Sequence, residues 1–173
     1  DVIVHDIISP PVAARDYAYP SIAAYEALLP AFNTHISFER QLNGLTTIPP
    51  PDANKKYCFP LASVHAFLKT SESFIFDVTQ IEDFRTELYL EMDSVINMPA
   101  DVRKRSIEYG KIVADHILNW SKTDNYAESR TFSKYEVPFD DPSKWKPTPP
   151  DFMDGIEPHW RTIRPFVLKK PDQ

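Results

Sequence analysis

The chain has 173 residues, 42% of them hydrophobic and 25% charged, which is enough length and apolar content for one domain with a real core. A formal charge of −6 with a pI near 5.3 excludes a nucleic-acid or anionic-membrane surface as the main partner. No apolar run reaches the roughly eighteen residues of a membrane span, and Cys58, the lone cysteine, excludes an intrachain disulfide and a cysteine metal cluster.

Three glycines against seventeen prolines point away from sheet, whose hairpins and bulges draw on glycine, and toward helices joined by stiff connections. After the apolar opening of residues 1–8, Ser9 before Pro10-Pro11 is a cap followed by proline in a first turn, so a helix starts near Pro11. Val12, Ala13, Tyr17, Ile22, Ala23, Tyr25, Leu28 and Leu29 cover much of its circumference, which makes it a central, buried helix. Pro20 should kink it and Pro30 end it. The stretch to Lys56, with Pro49-Pro50-Pro51 inside, reads as a long connection.

A second helix is predicted from Phe59 to about Phe76, with Pro60 in its first turn and Leu61, Val64, His65, Leu68, Phe74 and Ile75 at helical spacing. Thr79 and Glu82 have the spacing of a capping box, and Ile81, Phe84, Leu88, Met92 and Val95 then mark a third helix. Pro99 opens a fourth, running to about Trp120 with Ile107, Gly110, Val113, Ala114, Ile117 and Leu118 on one stripe, where Gly110 admits a second backbone. Beyond Lys122 the helical period stops. Eight prolines fall between Pro138 and Pro171, so residues 123–173 form an arm without a hydrogen-bond ladder of its own, and Trp145, Phe152, Trp160 and Phe166 must find burial on the helices. The expected fold is therefore all-α: one helical domain over 1–173, a bundle of about four helices (1–122) strapped by a Pro-rich C-terminal arm.

Histidines at 5, 35, 65, 116 and 159 have no metal-ligand spacing, and neither a glycine-rich phosphate loop nor a GxSxG turn occurs. Asp6, Glu82, Glu91, Asp93 and Glu157 are spaced as solvated helix faces and caps are. Glu26 differs, because it lies in an apolar helix and a buried carboxylate needs a partner, for which Arg15 and Arg164 are the candidates. No residue is assigned a catalytic, cofactor-binding or metal role. Structural roles are assigned to Glu26, Arg15, Trp145, Trp160 and Arg164.

Two motifs carry a family resemblance: Ser9-Pro10-Pro11-Val12-Ala13-Ala14-Arg15-Asp16-Tyr17-Ala18-Tyr19 with the helix end Ile22 to Leu28, and Glu157-Pro158-His159-Trp160-Arg161-Thr162-Ile163-Arg164-Pro165-Phe166-Val167-Leu168. They resemble the N-terminal half of bacterial vanadium-dependent haloperoxidase-like proteins, of the type 2 phosphatidic acid phosphatase superfamily. The resemblance implies that the intact protein holds vanadate and oxidises halide with peroxide, or holds phosphate and acts as an acid phosphatase. In that family the oxyanion is held by a lysine placed seven positions before the arginine of an Arg-Pro, by a Pro-Ser-Gly-His turn, and by a further Arg and His. Here the position seven before Arg164-Pro165 is Glu157, and Pro-Ser-Gly-His is missing. The chain alone is therefore expected to be inactive and to partner a C-terminal catalytic half, with self-association through the apolar face that half would cover. Its start at Asp1 and its charged end Lys169-Lys170-Pro171-Asp172-Gln173 read as those of a fragment, and the resemblance favours a periplasmic or exported protein. The rival expectation is a free-standing helical interaction module whose Pro/aromatic arm recognises a partner protein.

Overall fold

In the computed structural model, residues 8–169 are described. Residues 1–7, with His5 and Asp6, and residues 170–173 of the charged end lie outside them.

Helix α1 spans Pro10–Leu28 and opens as expected, with Ser9 in an extended conformation and prolines in the first turn. The Ser9 hydroxyl does not cap it, however, but donates to Glu157 Oε1 of the arm at 3.3 Å. The helix is continuous across Pro20, and a short 3₁₀ turn, Leu29–Ala31, carries the chain off it at Pro30. Residues 32–58 are irregular.

Helix α2 spans Phe59–Ser71 and ends five residues before the expected boundary. Phe74 leaves the helical line because its ring stacks on Tyr19 of α1, with centroids 5.7 Å apart, and spacing along the sequence cannot reveal that contact. Helix α3 spans Thr79–Val95, but the expected capping box does not form. Val78 takes the N-cap place, and the Asp77 carboxylate, two residues upstream of Thr79, accepts the Thr79 N–H at 3.0 Å. Helix α4 spans Ala100–Ser121 directly after Pro99, and α5 is a single turn, Tyr126–Ser129. No strand occurs among the described residues, and the fold is all-α.

The core belongs to α1, α2 and α4. Tyr19, Ile22, Ala23 and Ala27 of α1 meet Ala62 and Ala66 of α2 and Tyr109, Val113, Ile117 and Trp120 of α4, while Leu42 and Leu45 of the long connection close one end. The alanines and Gly110 set this geometry, because short side chains let helix axes approach closely enough for the large rings to fill what remains. Helix α3, the most regular pattern in the sequence, stays outside, with no buried residue. Ile81, Leu88 and Met92 on its apolar face are half-buried, and polar contacts tie it down: Tyr89 to His65 at 2.6 Å, Asp93 to Arg103 at 3.1 Å, and an ion pair between Glu72 and Arg85. Burial, together with the nearby Arg85 and Lys69, pushes the His65 imidazole down to about 4. His65 is therefore neutral at physiological pH, and one ring nitrogen accepts while the other donates.

Candidate functional site

The end of α4 organises the most heavily bonded polar site. Asn125 takes a left-handed conformation (φ 72°), a role that asparagine fills at low cost, and turns the chain so that Asp124 points inward. Asp124 is 1% exposed. Its Oδ2 accepts from Arg15 Nε at 2.8 Å and from the Tyr19 hydroxyl at 2.9 Å, and its Oδ1 accepts the Tyr126 N–H at 2.9 Å. Burial first, and then the adjacent Asp124 carboxylate, push the Tyr19 phenol well above its ordinary range, so it serves only as a donor. The Arg15 guanidinium lies 4.4 Å from the Tyr126 ring centre, and the Arg130 guanidinium lies at the same distance from that ring. Arg130 is in turn bonded to Glu157 of the arm at 2.7 Å.

The second half of the arm is locked onto this platform. Arg164 donates its backbone N–H to the Asp124 carbonyl at 2.9 Å, and its guanidinium donates to the Trp120 carbonyl at 2.9 Å and to Thr123 Oγ1 at 2.7 Å. Asn43 donates its side-chain amide to the carbonyls of Pro165 and Leu168 and its N–H to that of Phe166, so one residue of the long connection replaces the ladder the arm lacks. Phe166 packs against Tyr19 and Trp120, and Trp160 sets an edge against Tyr126. Arg15, Arg164 and Trp160 all take part in these contacts.

Two sequence expectations need correction. Glu26 is buried, but neither Arg15 nor Arg164 reaches it. Its carboxylate instead accepts the Phe38 N–H at 2.6 Å and the Ser37 hydroxyl at 2.9 Å. Burial raises its proton affinity and these two bonds counter the shift, so Glu26 anchors the long connection and forms no ion pair with either arginine. Trp145 is the other correction. It is 49% exposed and packs within the arm, on Gly155 and near Tyr135.

The sequence reading did not single out Asp16, which is nearly as buried as Asp124. Burial, the dominant cause, raises its carboxyl to about 6, against the opposing pull of Arg15 at 3.5 Å. The folded chain therefore holds this proton more tightly than the unfolded chain, whose carboxyl titrates near 3.8. The Asp16 contribution to stability is fully present below about 3.8 and is lost as pH rises through about 6. Asp16→Asn should accordingly stabilise the chain at pH 8 by about 1–3 kcal/mol and leave it nearly unchanged at pH 4. Denaturant midpoints at the two pH values check this, and a variant no more stable than wild type at pH 8 refutes it.

The arrangement is suited to fastening and is unsuited to holding an oxyanion. Arg15, Arg130 and Arg164 are each engaged by carboxylates or carbonyls of the chain itself. Among the described residues, no three His, Cys, Asp or Glu side chains converge as a metal-ligand set, and no helix is long and apolar enough to cross a membrane. The described residues of this cluster do not fit a vanadate, since each arginine is already engaged.

No protein-family model and no curated protein matches the chain significantly. Among solved structures, it is similar to a bacterial vanadium-dependent iodoperoxidase, with 46% identity and a TM-score of 0.87 over 98% of its own length. It spans 40% of the length of that chain.

Proposed function

The chain is a relative of the bacterial vanadium-dependent haloperoxidases, and on that premise we propose that it is the non-catalytic, N-terminal helical part of such a protein, a scaffold for a vanadate- or phosphate-binding half. One observation carries this reading: every arginine of the central cluster is consumed by the fastening of the arm, which leaves none to surround an oxyanion. In the intact protein the oxyanion half would supply halide oxidation with peroxide, or phosphate-ester hydrolysis. The fold alone does not choose between them. The apolar side chains left exposed on α3 and on residues 132–156, among them Leu90, Val95, Trp145 and Phe152, offer that half a surface, and without it they favour self-association. Export to the periplasm or beyond is proposed on the family resemblance.

The chain should show no turnover with iodide or bromide and peroxide, with or without added vanadate, and none with a chromogenic phosphate ester. Turnover that survives repurification and scales with protein concentration would overturn the proposal. The exposure of Trp145, Phe152, Met153 and Ile156 also favours a second reading, an interaction module whose arm takes a partner protein. The gene separates the two, since only the scaffold reading requires Pro-Ser-Gly-His to be encoded elsewhere in the same polypeptide.

A further inference from the structure

A cleft of about 380 Å³ opens between α1, the turn after α2 and the first turns of α3. Phe67, Phe74, Ile81 and Phe84 give it apolar walls, and Tyr17 lies beside Asp16, its one charged lining residue. The Asp16 side chain is 6% exposed, and its ionic contact is a 3.5 Å approach from Arg15. Arg15 makes its shorter bond, 2.8 Å, to Asp124. Arg130, which also attracts Asp16, is bonded to Glu157. Two buried carboxylates thus share one guanidinium, and Asp16 has the longer of its two contacts. Its carbonyl lacks the usual helical donor as well, because Pro20, one turn later, has no N–H to give.

We propose that this cleft binds a small organic ammonium with an apolar or aromatic body, its charged head paired with Asp16 and its body laid against Phe67, Phe74 and Phe84. The volume is that of a small-molecule site, with mostly apolar walls, a single charged group to fix orientation, and Tyr17, Ser71 and Gln80 as its other polar lining residues. A bare metal cation suits it poorly, since such ions take about six oxygen ligands and rings dominate the lining. The ammonium supplies Asp16 with a nearer counter-charge than Arg15 gives at 3.5 Å, and the ring faces stabilise it further.

Benzylamine tests the site, with benzyl alcohol as its neutral analogue, benzoate as its anionic one and potassium chloride as the inorganic cation. Titrations followed by NMR at pH 8 should saturate with benzylamine at least about tenfold more tightly than with benzyl alcohol, and benzoate and potassium should leave the cleft resonances in place. Binding should weaken as pH falls through about 6, where a proton competes for the same carboxylate. Asp16→Asn should abolish the preference for the amine. Phe84→Ala, at a side chain 54% exposed and outside the core, should weaken benzylamine without unfolding the chain. Failure of benzylamine to saturate, equal affinity for benzyl alcohol, the same shifts with potassium alone, or an amine preference that survives in Asp16→Asn would each overturn the proposal.

Discussion

Asp124→Asn is expected to destabilise the chain by about 3–5 kcal/mol, the range for removing one partner of a buried ion pair. The substitution preserves size but removes the charge, and an NH2, which can only donate, takes the place of Oδ2, which accepts from both Arg15 and Tyr19. Arg15 would then be buried with only the 3.5 Å contact to Asp16, and the Tyr19 hydroxyl would face a donor. A second signature separates this account from simple loss of packing. In the variant Asp16 becomes the main counter-charge of Arg15, its carboxyl falls below its present value near 6, and the deficit against wild type narrows as pH rises. Urea denaturation at pH 5 and pH 8 measures both effects. Limited proteolysis of 157–168 should accelerate in parallel, since Arg164 hangs from the Asp124 carbonyl. A deficit below about 1 kcal/mol would mean that the pair is worth no more than an exposed salt bridge.

Much of the helical frame was legible because its signals are local. Prolines at 10, 11, 60 and 99 mark where α1, α2 and α4 begin, and the stripe from Gly110 to Ile117 marks the face that α4 buries. The site was less legible because its bonds run across the chain. An acidic residue just past a helix end is ordinarily a solvated turn residue, and what distinguishes Asp124 is the return of Arg15 and Tyr19, more than a hundred residues away in sequence. Glu26 shows the same limit from the other side. Its burial follows from the apolar helix around it, but its partners are a backbone N–H and a serine hydroxyl in an aperiodic connection, and every residue carries an N–H.

Helix α3 and the arm show what periodicity does not decide. The spacing of Ile81, Phe84, Leu88, Met92 and Val95 fits an amphipathic helix, yet Phe84 and Val95 remain exposed, the other three are only half-buried, and ions and a His–Tyr pair tie the helix down. A hydrophobic stripe specifies a face to be covered without naming what covers it. In the arm, likewise, Phe166 is brought to the core where Asn43, Asp124 and Asn125 make hydrogen bonds to the proline-interrupted backbone, from Thr162 to Leu168. Trp145, which packs on Gly155 and near Tyr135 inside the arm, stays at the surface.

Gly110→Ala has the second large expected effect, and its sign depends on geometry alone. In an open helix interior, alanine is more favourable than glycine by about 1 kcal/mol. Here the added methyl would lie 2.4 Å from the Ala62 carbonyl oxygen and 3.1 Å from the His65 Cβ. The first is a backbone atom and cannot rotate away, so α2 and α4 must separate along a contact that buries Ala62, Ala66 and Val113. Overpacking of this kind typically costs about 1–3 kcal/mol and more where backbone must move, so a net loss near the top of that range is expected. For a chain of this size it corresponds to a fall in Tm of roughly 6–12 °C. The displacement of His65 should also loosen its bond to Tyr89, so hydrogen exchange in Thr79–Val95 should rise more than in α1. A variant as stable as wild type, or more stable, would show that α2 and α4 do not approach so closely. Loss of stability without faster exchange in α3 would keep the close approach and reject the His65–Tyr89 pair as the tie that holds that helix.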